Sequence, residues 1–244
     1  MPKVRVDALL VARGLAESRA KAQAAIAAGG VMAKGLLVAK ASELLDPDVD
    51  LQVSPAHPWV GRGALKLVHA LDLWSIPMTG RCVLDIGAST GGFTEVSITR
   101  GARVVYAVDV GQNQLHHSLR TDPRVVVLEG VDARNLDQSL VPQVPDVLVC
   151  DASFIGLAKV LPIALSLSGL GADLIALIKP QFEAGPGHVG KGGMVKNPEV
   201  LARVQADVTD FLEASGWTVK AKTESPIFGG AGQIEYLVHA QKSR

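Results

Sequence analysis

The sequence predicts an α/β protein in which a small α+β domain precedes a mostly parallel sheet. Three observations lead to this fold class. Short apolar runs alternate with helical or loop segments, a Gly-rich turn follows the first of these runs, and the N-terminal segment differs in composition from the rest. The chain has 244 residues, 48% of them hydrophobic, which suffices for a core of ordinary size plus a small second domain.

The N-terminal segment, from Val4 to about Val53, predicts two helices and a small β ribbon. We expect a first helix that ends at Gly14, a second from Glu17 or Ser18 to Gly29, and strands at 31–32 and 36–38. These elements make too small a core for a catalytic domain. Between residues 43 and 60 a strand should lead into a Pro-containing linker, so the expected domains are 1–60 and 61–244.

Beyond the linker, five apolar runs have the length and composition of buried parallel strands. They cover residues 82–86, 104–109, 125–128, 147–151 and 174–179. Two further strands, 217–222 and 234–240, are joined by a loop too short for a crossover helix. The pattern therefore predicts a seven-stranded, mostly parallel sheet in which the last strand runs antiparallel.

The charge of the chain is balanced overall but uneven along the sequence. Lys plus Arg and Asp plus Glu both total 24, whereas residues 1–42 hold seven basic and two acidic residues. A basic lobe on a neutral body is typical of a nucleic-acid footprint. An ordinary solvated face has the same composition, and charge alone leaves both interpretations open.

The two cysteines, Cys82 and Cys150, lie in or at the end of strand-like runs without metal-ligand spacing around them. We expect them to be small buried residues in a reducing cytoplasm, and we expect no metal site. The N-terminus lacks the apolar region of a secretory signal, and proline, glycine and aspartate interrupt the most apolar stretch, 160–178. The sequence thus predicts a cytoplasmic protein without a membrane span.

The Gly-rich turn after the first sheet strand is a candidate cofactor site, because glycines at such a junction let a ligand approach backbone N–H groups. The turn lacks the dinucleotide spacing and the Lys-Ser/Thr of a triphosphate-binding loop, which favours S-adenosylmethionine. The candidate residues are Asp85, Gly87, Ala88, Ser89, Gly91, Gly92, Phe93, Asp109 and Asp132. Asp109 is placed to bind ribose hydroxyls and Asp132 an adenine amino group. A plain tight turn and, for Asp132, a solvated loop acid are the alternatives.

Two charged residues, Asp151 and Lys179, end neighbouring predicted strands. The carboxyl ends of strands form the ligand crevice of an open α/β sheet, so both side chains should face one site. A purely structural salt bridge would produce the same pattern.

With Lys66 and Glu235, these two residues resemble the Lys-Asp-Lys-Glu set of FtsJ-like ribose 2′-O-methyltransferases. Almost the whole chain resembles the TlyA/haemolysin A family, which joins an αL-type RNA-binding domain, the kind found in ribosomal proteins, to such a methyltransferase. The segments that carry the resemblance are Arg5-Val6-Asp7, Gly14–Arg19, Gly61–Leu67, Asp85–Thr94, Lys179–Glu183, Val189–Gly193, Asn197-Pro198 and Ser225–Glu235.

The resemblance implies a class I, Rossmann-like methyltransferase that uses S-adenosylmethionine and acts on ribosomal RNA or ribosomal subunits, with cytidine favoured. Since a ribose hydroxyl is a poor nucleophile, Lys179, tuned by Asp151 and Lys66, would accept its proton or stabilise the developing alkoxide. Glu235 would orient a lysine or the ribose. The residues expected to contact RNA are Arg5, Arg13, Arg19, Lys21, Lys34, Lys40, Arg62, Lys191 and Lys196. The segment 184–198 would be either a mobile cover over RNA or an ordinary surface loop.

The sequence departs from the family pattern in three places. Gly61 and Ala64 stand where serine and glycine are usual, Gln233 where asparagine is usual, and Lys34 where asparagine is usual. The first two could change loop geometry around RNA, and the third adds a charge to the β ribbon.

Other functions stay open. A base methyltransferase is the nearest rival. Methylation of an amine usually needs a Pro-Pro motif, which Asp151-Ala152-Ser153-Phe154 lacks. Methylation of a carbon needs a catalytic cysteine, and Cys150, which lies beside the site, should face the core. A haemolysin-like membrane-acting protein and a catalytically silent RNA-binding adaptor are the remaining alternatives.

Overall fold

The computed structural model of the chain describes residues 3–27, 30–53, 57–190, 192–229 and 232–243. It divides into two compact units, Met1–Pro58 and Trp59–Arg244, two residues before the predicted boundary at residue 60. Each unit has its own hydrophobic core.

The first unit combines two helices with two small antiparallel sheets. The elements are β1 (Val4–Arg5), α1 (Val6–Ala12), α2 (Arg19–Ala27), β2 (Val31–Ala33), β3 (Leu36–Leu37), β4 (Leu44–Leu45) and β5 (Leu51–Val53). Strand β1 pairs with β4, and β2 lies between β3 and β5. Helix α2 begins at Arg19, because the Ser18 hydroxyl accepts the N–H of Lys21 and so caps the first turn. The region expected to hold one strand, residues 43–60, holds β4 and β5.

The second unit is built on one seven-stranded sheet. Its strands are β6 (Cys82–Ile86), β7 (Val104–Asp109), β8 (Val125–Glu129), β9 (Val147–Cys150), β10 (Asp173–Ile178), β11 (Trp217–Glu224) and β12 (Tyr236–Lys242). Their order is β11-β12-β10-β9-β6-β7-β8. Strand β12 runs antiparallel to both β10 and β11, whereas the pairings among β6 to β10 are parallel. The predicted sheet is confirmed.

Helices cover both faces of this sheet. They are α3 (Ala64–Trp74), α4 (Gly92–Thr99), α5 (His117–Arg120), α6 (Leu157–Val160), α7 (Pro162–Leu167), α8 (Pro180–Glu183) and α9 (Pro198–Ala214), with short 3-10 turns at Ala133–Asn135 and Pro186–His188. Alternate residues of β6 show the two faces, since Leu84 and Ile86 join one core cluster and Val83 the other. Cys82 and Cys150 are fully buried, as predicted.

Three strand ends differ from the prediction in a way that matters for the site. Strand β9 ends at Cys150 and β10 at Ile178, so Asp151 and Lys179 are the first residues beyond their strands. Strand β12 begins at Tyr236, which leaves Glu235 directly before it. All three side chains therefore belong to the loops at one edge of the sheet.

Candidate active site

The candidate site lies at the carboxyl edge of the sheet, where the chain order reverses between β6 and β9. Because β9 and β10 pair in parallel, Asp151 and Lys179 leave the sheet at the same edge. Strand β12 pairs antiparallel with β10, with Tyr236 opposite Ile178, so its start brings Glu235 to this edge as well. Helix α3 supplies Lys66.

The four side chains form a row of alternating charges. Lys66 Nζ lies 2.7 Å from Glu235 Oε2 and 3.6 Å from Asp151 Oδ1. Lys179 Nζ lies 2.6 Å from the same Asp151 oxygen. Lys66, Lys179 and Glu235 are buried, and Asp151 is partly exposed. Two positive and two negative charges thus compensate one another where water is largely excluded.

Lys179 has three oxygen neighbours. Besides the Asp151 carboxylate, its Nζ donates to the Asp151 carbonyl oxygen at 2.9 Å and to Ser153 Oγ at 2.8 Å. An ammonium group has three N–H donors, and Lys179 uses two of them in these hydrogen bonds, so a substrate oxygen can bind the third or replace one of the two acceptors. Ser153 is exposed and neutral, which makes its hydroxyl the most readily replaced.

Helix α8, which follows Lys179, contacts the segment 152–157, which follows Asp151. Glu183 Oε1 accepts the N–H of Leu157 at 2.8 Å, and the rings of Phe182 and Phe154 lie 5.1 Å apart. Burial raises the pKa of Glu183, although the hydrogen bond from Leu157 opposes the rise.

Gln233 lies in the loop that precedes Glu235 and β12, and it joins this loop to the segment 192–197. Its buried side chain accepts the N–H of Val195 at 2.7 Å and donates to the Val195 carbonyl at 3.2 Å. The same amide donates to the Ile234 carbonyl at 3.0 Å. Gln233, one of the residues that depart from the family pattern, therefore links two segments of the site through its side chain. We call these hydrogen bonds to Val195 the Gln233 clasp.

Two cavities open at this edge of the sheet. The larger, about 560 Å³, is formed by the carboxyl ends of β6, β7 and β9 and by residues 131–134. The smaller, about 170 Å³, is formed by residues 61–63, the Gly-rich turn and Lys179. Both cavities are lined by Gly87, Ser89, Asp151 and Ser153. Asp151 thus stands in a wall that the two cavities share.

Most of the predicted cofactor-binding residues line one of these cavities. The larger is lined by Gly87, Ser89, Asp109 and Asp132, and the smaller by Ala88, Gly92 and Phe93 in addition to Gly87 and Ser89. Asp85 and Gly91 line neither. Gly87 has a φ of 81°, and a Cβ at this position would lie 2.8 Å from the Cα of Ala152, so the turn has no room for a side chain.

Carboxylates shape the wall of the larger cavity. Asp109 accepts the N–H groups of Ser89 at 2.8 Å and Gly111 at 2.7 Å. Asp132 pairs with Arg134 at 2.6 Å, which lowers the pKa of Asp132. These contacts fix both acids at the cavity rim.

Glu129, at the end of β8, holds the adjoining loop and was not singled out from the sequence. It accepts the N–H groups of residues 113, 114 and 115 at 2.9, 2.7 and 2.8 Å and pairs with Arg120. Burial opposes ionisation, but these bonds outweigh it and lower the pKa of Glu129 to about 2.

Asp85 lies inside the protein behind the Gly-rich turn. It is 0% exposed, and Thr94 Oγ1 donates to its Oδ2 at 2.6 Å. Its Oδ1 has no hydrogen-bond partner in the described part of the chain. Burial raises the pKa of Asp85 to about 7.

Comparison with known families fits this geometry. The family model described as FtsJ-like methyltransferase matches residues 59–242. The chain belongs to the FtsJ-like methyltransferase family.

Relatives of this FtsJ-like chain match it along nearly its full length. The 16S/23S rRNA (cytidine-2′-O)-methyltransferase TlyA of Mycobacterium tuberculosis is 46% identical over 97% of this chain and 89% of its own. Hemolysin A of Brachyspira hyodysenteriae is 38% identical over 97% of this chain and 99% of its own. A solved structure of a candidate hemolysin from Streptococcus thermophilus has a TM-score of 0.79 and 39% identity, covering 100% of this chain and 90% of that one.

More distant solved structures share the fold alone. They include methyltransferases with bound S-adenosylmethionine or S-adenosylhomocysteine, at 15% identity and TM-scores of 0.51 and 0.52. The predicted α/β methyltransferase fold is confirmed.

The predicted RNA-contacting residues of this FtsJ-like chain are exposed wherever they are described, and Lys191 lies outside the described residues. Four of them already have partners in the first unit. Arg13 donates to the carbonyls of Val49 and Pro47, and Arg5 and Arg19 bind Asp7. Lys21 pairs with Glu17. Arg62, in the second unit, lines the smaller cavity and donates to the Phe228 carbonyl at 3.3 Å.

Within the described ranges, no group of three or more His, Cys, Asp or Glu residues could hold a metal ion. No described helix is long and apolar enough to cross a membrane.

Proposed function

We propose that this FtsJ-like chain transfers a methyl group from S-adenosylmethionine to a ribose 2′-hydroxyl of ribosomal RNA, with cytidine as the target nucleoside. The observation that carries the proposal is the row of four charges at the wall between two cavities. One cavity can hold a methyl donor and the other a ribose. The name of the M. tuberculosis relative, 46% identical, supports the nucleic-acid substrate and the nucleoside.

The larger cavity suits S-adenosylmethionine, which supplies a methyl group on a sulfonium centre when bound. Asp109 would accept from ribose hydroxyls of the cofactor, and Asp132 from its adenine amino group, since both carboxylates line this cavity. The turn at Gly87 to Ser89 brings backbone to the junction of the cavities without side-chain bulk. A cavity of about 560 Å³ is also of the size that small-molecule cofactors occupy.

Lys179 would act on the substrate hydroxyl. Its Nζ faces the smaller cavity, and a ribose 2′-oxygen that takes the place of Ser153 Oγ would come within hydrogen-bond distance of it. As a neutral amine, Lys179 would accept the hydroxyl proton; as an ammonium, it would instead donate a hydrogen bond to the oxygen and stabilise the negative charge that develops there. Asp151 holds Lys179 from the opposite side, and the Lys66–Glu235 pair holds Asp151.

The first unit would bind RNA. Seven basic residues against two acids in residues 1–42 favour a polyanionic partner, and ribosomal subunits are the particles that the proposed reaction requires. The proposed activity therefore belongs to the cytoplasm, where such particles are assembled.

Methyl transfer to ribosomal particles tests the proposal directly. The full chain is incubated with labelled S-adenosylmethionine and purified small or large subunits, and methylated nucleotides are mapped by mass spectrometry. We expect ribose methylation at cytidine. Lys179→Ala should abolish this methylation. The affinity for S-adenosylmethionine should stay nearly unchanged, because Lys179 lines the smaller cavity and not the larger one. Methylation of a base, or an active Lys179→Ala variant, would contradict the proposal.

The relative named Hemolysin A makes a membrane-acting protein the second candidate. The two candidates differ in their dependence on Lys179. Lysis of erythrocytes by both the wild type and Lys179→Ala, without methylation of any subunit, would favour the second.

A further inference from the structure

Asp7 is a fully buried acid at the start of the first unit. Donors from two arginines, a glutamine and the backbone converge on its carboxylate. They are Arg5 Nε at 3.1 Å, Arg5 Nη2 at 2.9 Å, Arg19 Nη2 at 3.0 Å, Gln23 Nε2 at 2.8 Å and the N–H of Ala8 at 2.9 Å. Hydrogen bonds from Arg5 and Gln23 hold the pKa of Asp7 well below its usual range.

The two arginines bind the same oxygen, Oδ2, so their guanidinium groups are held side by side. Their side chains remain 44% and 57% exposed. A guanidinium has five N–H donors, of which Arg5 uses two and Arg19 one on Asp7. Most of their donors are left, and the cluster keeps one net positive charge.

We infer that Asp7 is a positioning residue that sets Arg5 and Arg19 as a rigid pair for two phosphate oxygens of the RNA backbone. The inference rests on the proposed RNA substrate. An exposed arginine that binds phosphate loses rotamer freedom, whereas these two have lost it already on folding. Planar guanidinium groups in fixed orientation also match phosphate better than mobile ones.

A purely structural role for Asp7 leads to the opposite result on RNA binding. Arg19 opens α2 and Gln23 lies one turn further, so Asp7 also joins α1 to α2. If Asp7 only joined the helices, removal of its negative charge would leave RNA affinity unchanged or increase it. If Asp7 positions the arginines, its removal weakens binding although the net charge becomes more positive.

The test compares Asp7→Asn with Glu43→Gln in the full chain. Glu43 is an exposed acid of the same unit, so both variants remove one negative charge. The probe is ribosomal RNA extracted from purified subunits, and its affinity is measured over a series of salt concentrations. Asp7→Asn should bind about tenfold more weakly, with a salt dependence shallower by about one unit of slope. Glu43→Gln should bind as tightly as the wild type or more tightly.

A folded Asp7→Asn variant with wild-type or higher affinity would overturn the inference. If this variant does not fold, Arg19→Lys decides, since it keeps the charge and leaves Asp7 bonded to Arg5 and Gln23. Its affinity should fall several-fold, and unchanged affinity would overturn the inference. A wild-type chain that does not bind this RNA would instead contradict the proposed function.

Discussion

Asp85 is a residue whose charge depends on pH within the neutral range. Burial raises its pKa to about 7, and the hydrogen bond from Thr94 only partly opposes this. An unfolded aspartate has a pKa of about 3.9. Between these values the folded protein keeps a proton that the unfolded chain loses, so this contribution to stability is complete below about pH 4 and is lost as the pH rises through about 7.

The free energy of unfolding should therefore fall between about pH 4 and about pH 7 on account of Asp85. Asp85→Asn should remove this part of the slope, measured by urea unfolding at several pH values. Asp72→Asn, which changes an exposed acid paired with Arg100, is the matched control and should keep the slope. An equal slope in Asp85→Asn and the wild type would show that Asp85 is ionised in the folded protein.

Glu235 is the acid nearest to the buried ammonium group of Lys66, at 2.7 Å. Glu235→Gln leaves a buried lysine whose remaining acid, Asp151, lies 3.6 Å away and already binds Lys179. We expect a loss of about 3 kcal/mol in the free energy of unfolding and a fall in methyl transfer of about 100-fold or more.

The double variant Lys66→Met/Glu235→Leu separates these two effects. It removes both charges together, so most of the stability should return while methyl transfer stays low. Urea unfolding and initial rates measure the two quantities. Recovery of activity together with stability would mean that the pair has only a structural role.

At the scale of elements, the Gln233 clasp determines how firmly the segment 192–197 is held. Gln233→Leu keeps the volume but leaves the N–H and C=O of Val195 without this partner, at a cost of about 1–3 kcal/mol. We expect faster hydrogen exchange at Val195 and a higher KM for RNA, with the affinity for S-adenosylmethionine unchanged. Protection of the Val195 amide equal to that in the wild type would contradict this role.

The strands of the sheet could be predicted because buried parallel strands are continuous apolar runs, as in β6 and β7. Strand β10 begins one residue before the predicted start. Its first residue, Asp173, is a buried acid that pairs with Arg81 at 2.8 Å and lies 3.0 Å from His239 Nε2, and a single sequence gives no sign of such partners.

The site was only partly predictable for the same reason. Strand ends bring Asp151 and Lys179 together, but Lys66 and Glu235 are 169 positions apart, and their prediction rested mainly on the family resemblance. Ser153, Glu129 and the Gln233 clasp act through side-chain contacts with lysine or backbone groups. Contacts of this kind leave no periodic pattern in a sequence.

At the scale of the whole molecule, the two units should separate RNA binding from cofactor binding. The residues that line both cavities lie within 59–244. A chain that begins at Trp59 should bind S-adenosylmethionine like the full chain, bind ribosomal RNA more weakly, and show a shallower salt dependence because basic contacts are lost. Calorimetry and filter binding measure these properties. Loss of cofactor binding would show that the first unit is needed for the catalytic fold.

The wall shared by the two cavities has a consequence for inhibition. A single molecule that joins an adenosylhomocysteine-like part to a ribose through its 2′-oxygen would fill both cavities across Asp151 and Ser153. Once one half is bound, the other is at a high effective concentration, so a linker of the right length gives an affinity far above that of either half. Because Gly87 lines both cavities and carries no side chain, we expect a linker of only a few atoms to suffice.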